Sequence, residues 1–322
     1  MNLPYLLRLT CLLVVVVGVT QFLLQLLLAV NARPLLRLLE GVSARRRERT
    51  LYLFQVGPVS AALLFAGAIC GPQYLRHEPG VAAERVGSIC ILLACAVLLW
   101  FSTAAARGLR IVARTLRFVH ANRLASQDSG IRRHGIPVLS LPNACHVALA
   151  GLLNPVILVP RNLLESGGLS QDALALALDH ECAHAVSLDN WKLLSLSFLP
   201  RLPFPSRAGT WFQHWQRAAE CAADDDAVRG DQARCLLLAD TLLKIARTAR
   251  PPHAPMIYTA LTARSEELAA RIDRLIGNPV FPSASQRSTL PQCIALTLAV
   301  IAAAVAMSPW IYGISELILH LG

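Results

Sequence analysis

His180-Glu181-Cys182-Ala183-His184 is the stretch in which the chain commits to a chemistry. Two histidines four positions apart stack on one face of an α-helix, so both imidazoles can bind a single metal ion. Glu181 lies beside that pair, placed to take a proton from a water that the ion activates. The surrounding residues specify the helix this requires. Ser170 is a good N-cap, Asp172 adds an acidic residue to the first turn, and residues 173–178 alternate Ala and Leu, with no Gly or Pro before His184. The competing explanation is a chance match of five ordinary residues to a short pattern, and the helical context argues against it.

A hydrolytic zinc site uses three protein ligands and keeps the fourth position for water. Residues 210–230 offer the third ligand on what reads as a second helix, with Trp211 and Trp215 four apart and Gly230 as a C-terminal stop. Glu220 and Asp224, again four apart, share a face. Glu220 could complete a His-His-Glu set, with Asp224 orienting a ligand imidazole from behind. Spacing alone leaves Asp225, Asp226, His214 and Asp189 open as third ligands, although Asp225 and Asp226 read as a solvated face. Cys182 and Cys221 each follow a better-placed residue by one position and would point elsewhere, and His146 reads as a strand residue near the site. The chemistry implied is peptide-bond hydrolysis with Zn2+, Glu181 taking a proton from water and passing it to the leaving amine. Tyr258, His214 and Arg217 are the candidates for stabilising the oxyanion.

The elements that must position these groups are mostly apolar. Of 322 residues, 55% are hydrophobic and only 16% charged, which points to a membrane protein. Residues 3–30, 51–70, 86–106 and 293–319 are each long enough to cross a bilayer, with Pro309 a kink in the last. The first resembles a signal peptide only at Val30-Asn31-Ala32. Its apolar part is too long, and it has no basic leader. Arg33, Arg37, Arg45, Arg46, Arg47 and Arg49 make residues 31–50 a basic loop that stays on the cytoplasmic side, whereas residues 71–85 fit the outer side. Counting crossings puts both chain ends outside and residues 107–290 inside. The net charge of +10 is orientation charge beside a membrane, since no nucleic-acid-reading motif accompanies it. Nine cysteines without a CxxC pair support neither a disulfide framework nor a cysteine-based zinc knuckle.

Between the third span and the metal helix the character changes twice. Arg107, Arg110, Arg114, Arg117 and Arg123, interleaved with apolar residues, read as a basic amphipathic helix continuing from the membrane or lying on its inner surface. Residues 136–141, 145–150 and 155–160 then read as short strands whose exposed edge could pair with an extended peptide. After the metal helix, residues 191–199 are its buried end or a segment dipping into the membrane. Helices follow at 235–245 and at 265–276, the latter capped by Gly277.

In this order, GLLNPVILVPRNLL at 151–164, HECAH at 180–184 with Asp189 following, the Glu220 and Asp224 pair, and ARIDRLIG at 270–277 resemble the BlaR/MecR-type family of membrane zinc metallopeptidases, the β-lactam sensor-transducers and their relatives. The resemblance implies His180, His184 and Glu220 as ligands, Glu181 as the catalytic carboxylate and Asp224 as a supporting residue. It also implies a cytoplasmic protein target, often the peptidase itself or a transcriptional repressor. The penicillin-binding sensor of the antibiotic receptors is absent before Gly322, so β-lactam sensing is not implied. Ser187 and Leu188 stand where relatives are often basic, which leaves the role of Asp189 open. The expected fold is mainly α: four transmembrane helices with a cytoplasmic α+β zincin-like domain containing a small sheet, divided as 1–106, 107–290 and 291–322. An HtpX-type quality-control peptidase is the nearest rival enzyme, although such chains place two spans before the motif and two after it. A non-catalytic zinc-fold transducer is the rival of another class, and the intact Glu181 argues against it.

Overall fold

A computed structural model describes residues 3–77, 86–142, 147–165, 168–202, 209–248, 258–260 and 265–277. Helix makes up 77% of the described residues, joined by one small mixed sheet. The expected fourth span, Cys145 and His146 lie outside the described residues.

Among the described residues, three helices are long and apolar enough to cross a membrane: Tyr5–Val30, Ala44–Arg76 and Ser88–Asn122. The first lies in α1 (Leu3–Val30), followed by the short α2 (Ala32–Leu38). The second begins as α3 (Ala44–Phe65), passes through a π-helical turn at Ala66–Cys70 and ends in α4 (Gly71–His77). It starts seven residues before the apolar run, because the arginines after Ser43 continue the helix instead of forming a loop. The third is α5 (Ser88–Ala125), in which the apolar run and the basic amphipathic stretch form one continuous rod. At about 1.5 Å per residue it is roughly 57 Å long, nearly twice the hydrocarbon core of a bilayer. Its arginine-rich half therefore extends past the apolar part. Leu23, Leu27, Leu53, Leu64, Leu92 and Leu99 are exposed on these helices, as suits side chains that face lipid.

The sheet comprises β1 (Gln127–Arg133), β2 (Ile136–Leu141), β3 (Ala148–Ala150), β4 (Val156–Pro160) and, much later in the chain, β5 (Tyr258–Ala260). Its order is β1-β2-β4-β3-β5; only the β2/β4 pair is parallel. The three expected strand runs are present, and two strands join them. β1 is polar, largely exposed and bulged between Asp128 and Arg132, so it lacks the alternation that marks a half-buried strand. It turns into β2 at His134-Gly135, both with positive φ, as a tight hairpin requires. β3 is paired on both sides, with β4 and with β5.

The remaining helices are α6 (Arg161–Leu164), α7 (Gln171–Val186), α8 (Asp189–Phe198), α9 (Gly209–Val228), α10 (Gln232–Thr248) and α11 (Ser265–Ile276). α7 is the metal helix, capped as expected: Ser170 Oγ accepts from the Ala173 N–H at 3.2 Å. Residues 191–199 are not its end. Leu188 adopts the left-handed conformation at φ 58° and starts α8 in a new direction. Two cores flank this region. Val138, Leu149, Ile157 and Val159 of the sheet pack with Leu176 and Cys182 of α7 and with Leu238, Leu242 and Leu275 of α10 and α11. Leu51 of α3, Leu196 of α8 and Trp211, Trp215, Ala218 and Ala219 of α9 form the other. The second core joins α3, long and apolar enough to span a membrane, directly to the helices that carry the site.

Candidate metal centre

α7 is buried from Leu176 to His184, and His180, Glu181 and His184 have no exposed surface. Three uncompensated polar side chains in such a place would cost several kcal/mol, so their partners are the relevant observation. α9 packs alongside α7 and brings Glu220 to both imidazoles. Its Oε2 is 3.5 Å from His180 Nε2 and its Oε1 is 3.7 Å from His184 Nε2. The two Nε2 atoms are 3.2 Å apart. Two nitrogens bound to one tetrahedral zinc at about 2.05 Å would be about 3.3 Å apart. The ligand atoms of His180, His184 and Glu220 all lie within 4.8 Å of one another, so this group could hold a metal ion.

Each outward nitrogen faces a carboxylate, in a hydrogen bond at His184 and in ion-pair contact at His180. Asp224 Oδ1 is 3.0 Å from His180 Nδ1, and Asp189 Oδ2 is 2.8 Å from His184 Nδ1. A carboxylate at Nδ1 keeps the proton there and frees the Nε2 lone pair for a shared ion, the usual support for a metal-bound histidine. Asp189 lies behind His184 and outside the group that could hold an ion, with no basic neighbour at 187 or 188. The donor set, with both imidazoles correctly oriented, fits zinc.

Behind the carboxylates stand two cations that spacing did not reveal. Arg271 of α11, 4% exposed, donates from Nε and Nη2 to the two oxygens of Asp224 at 2.9 and 2.6 Å and from Nη1 to Glu220 Oε2 at 2.8 Å. Lys192 donates to Asp189 Oδ1 at 2.9 Å. Burial works to raise the pKa of Asp224, yet Arg271 and His180 hold it well below the usual carboxylate range. Burial likewise opposes ionisation of Asp189, and His184 and Lys192 overcome it. His180 is held up at about 9: burial lowers its pKa, and the carboxylates of Asp224 and Glu220 more than reverse that. A metal must displace this proton to bind, as histidine-ligated metals do.

Glu181 is set differently from the other acids. The Leu149 N–H of β3 donates to its Oε2 at 2.7 Å, which ties the carboxylate to the sheet. Its Oε1 is buried and has no hydrogen-bond partner among the described residues. Burial pushes its pKa up to about 7, with the neighbouring imidazoles acting against that rise. Asn190 also binds this strand, its Nδ2 donating to the Leu149 and Gly151 carbonyls at 3.2 and 2.9 Å.

The other residues singled out by spacing have separate engagements. Asp225 is bound by Arg274 with both oxygens at 2.7 Å, and Asp226 by Arg45 at 2.6 Å. Cys182 packs in the sheet core, burial raises the thiols of Cys182 and Cys221 to about 11, and neither belongs to the group whose ligand atoms converge. His214 lies near Arg47 and Arg217, and burial together with those cations lowers its pKa. Arg217 donates to Glu267 at 3.0 Å. The Tyr258 backbone pairs with Ala150, which puts β5 on the strand that positions Glu181. Arg271 and Arg274 leave a trace in the sequence: two arginines three apart, alongside the apolar stripe Leu268, Ile272 and Leu275 of α11.

Compared with known proteins, the chain matches no family model and no curated sequence.

Proposed function

We propose that this chain is a membrane-embedded zinc endopeptidase that cleaves a cytoplasmic or membrane-proximal protein segment. The observation that carries the reading is the convergence of His180, His184 and Glu220 beside a buried carboxylate oxygen, Glu181 Oε1, that has no hydrogen-bond partner among the described residues. The BlaR/MecR-type resemblance of the ordered motifs agrees with it. His180 and His184 from α7 and Glu220 from α9 would hold the zinc. When bound, zinc supplies a lowered water pKa and polarises the scissile carbonyl.

Glu181 accepts the proton of the attacking water and later donates it to the leaving amine. A pKa near neutrality suits both transfers. The Leu149 N–H keeps one carboxylate oxygen occupied, so the proton resides on the other. Asp224 and Asp189 hold the imidazoles in the tautomer that presents Nε2. The Glu220 side chain, 18% exposed, is the one member of the group open to solvent, and it marks the side from which substrate arrives.

Residues 258–260 support a self-processing activity. They pair antiparallel with β3, where an added peptide strand would lie within reach of Glu181. The arginines that follow α1 and α2 and those in the second half of α5 favour a cytoplasmic site by the positive-inside rule. The intact Glu181, tied to β3 beside the two histidines, favours an enzyme over a non-catalytic zinc-fold transducer.

Glu181→Gln tests the reading in native membranes. The variant retains zinc, and at least one protein, this chain or another, loses a cleavage product and becomes longer-lived. Zinc retained with no change in the processing of any protein would contradict a peptidase and favour a transducer.

A further inference from the structure

His184 is connected to the membrane. Lys192, which supports Asp189, also donates to Glu48 Oε1 of α3 at 2.8 Å, and Trp215 Nε1 of α9 donates to the same oxygen at 2.9 Å. Glu48 has no exposed surface, although in sequence it is one charge within an arginine-rich run. One turn further along α3, Tyr52 Oη and Ser195 Oγ of α8 are 2.9 Å apart. Two side chains on one face of the second membrane helix thus grip two on one face of α8, at helical spacing on both sides.

The C-terminal end of α8 is held by the other two spans. The carbonyls of the three residues that follow its last turn accept from side chains of α1 and α5. Arg107 Nη2 donates to the Leu199 carbonyl at 2.5 Å, Gln25 Nε2 to Pro200 at 2.7 Å and Trp100 Nε1 to Arg201 at 2.6 Å. At Gly108 of α5 the approach is closer still, since a Cβ there would lie 2.6 Å from Phe198 Cδ1. α8 and the three residues after it therefore contact all three long apolar helices, and α8 begins with the carboxylate that faces His184.

We infer that Glu48 is a positioning residue for the metal centre: through Lys192 and Asp189 it fixes the His184 imidazole, so the packing of the second membrane helix against α8 sets how tightly zinc is held. This rests on the zinc reading above and adds a structural route by which a change in the membrane helices reaches the site. The coupling uses contiguous polar contacts along one rigid ten-residue helix.

The test is zinc affinity of the full-length chain in lipid nanodiscs, by competition with a chromogenic chelator, in a double-mutant cycle. Glu48→Gln preserves shape and removes the charge that holds Lys192. It weakens zinc about tenfold, the lower end of what an outer partner of a ligand contributes. In an Asp189→Asn background the same substitution weakens zinc no further, because the route is already broken. Tyr52→Phe, which deletes one hydroxyl from the same interface, weakens zinc about threefold if Glu48→Gln does not fold. A purely structural Glu48 would lower the melting temperature and leave the zinc constant unchanged, or would multiply the Asp189→Asn effect, and either result overturns the inference. Wild-type protein that holds no zinc overturns the metal reading itself, whereas normal zinc binding with an inert Glu48 overturns only the coupling.

Discussion

The two imidazoles of the site are supported by carboxylates at nearly the same distance, 3.0 and 2.8 Å, but what stands behind those carboxylates differs. On the His180 side, Asp224 is held by Arg271, and Arg271 also holds Glu220. The whole arrangement belongs to α7, α9 and α11. On the His184 side, Asp189 is held by Lys192, and Lys192 leads to Glu48 of a membrane helix. The first is a closed, buried ion network contained within the helices around the sheet. The second is a chain of contacts leading toward the bilayer. One pair of histidines thus combines a fixed half with a half that the membrane helices can influence, and the single solvent-facing ligand, Glu220, lies between them.

The strongest break of this comparison removes what both halves share. Glu220→Ala deletes the ligand within reach of both Nε2 atoms, and zinc per chain, measured by metal analysis after dialysis, falls from one toward zero. Next in size is Arg271→Leu, which leaves Asp224 and Glu220 as buried charges without their cation. Denaturant unfolding should show a loss of about 3–5 kcal/mol, the range for removing one partner of a buried pair. Lys192→Met, with its side chain 17% exposed and the contact partly screened, costs less in the same assay. Asp224→Asn and Asp189→Asn sharpen the contrast further. Each weakens zinc by roughly 10–100-fold. Only the Asp189 variant should make the zinc constant insensitive to a change of bilayer thickness or detergent that shifts the wild-type value. The smallest effect is Ser170→Ala, which removes the α7 cap and lowers stability by about 1 kcal/mol without altering zinc affinity.

How much of this was legible from the residues follows from how local each feature is. α7 and its cap, the shared face of Glu220 and Asp224, and the three described membrane helices depend on spacings of three to twenty residues, and composition and period reveal those. The break between α7 and α8 was not legible, because it rests on Leu188 in a left-handed conformation, a place where Gly or Asn would ordinarily announce the turn. β1 and β5 were missed for opposite reasons: one is polar and bulged, the other is three residues long and exists only through pairing with β3. The contacts behind the imidazoles were the least visible. Arg271 meets Asp224 across 47 positions, and Glu48 meets Lys192 across 144 and Trp215 across 167. No period links such residues. A charge in an arginine-rich run gives no sign that it will be fully buried. Even so, Arg271 stood beside the apolar stripe of a strongly amphipathic helix, and that conflict was readable as a demand for a buried acidic partner.

The central claim is that two imidazoles and one carboxylate grip a single zinc ion. X-ray absorption at the zinc edge on the purified full-length chain examines that directly. The account predicts about one zinc per chain with nitrogen and oxygen neighbours near 2.0–2.1 Å, an imidazole scattering pattern for two histidines and no sulfur shell near 2.3 Å. A sulfur shell would bring Cys182 or Cys221 into the site and contradict the ligand set, and protein that retains no zinc when His180 and His184 are intact would contradict the metal centre altogether.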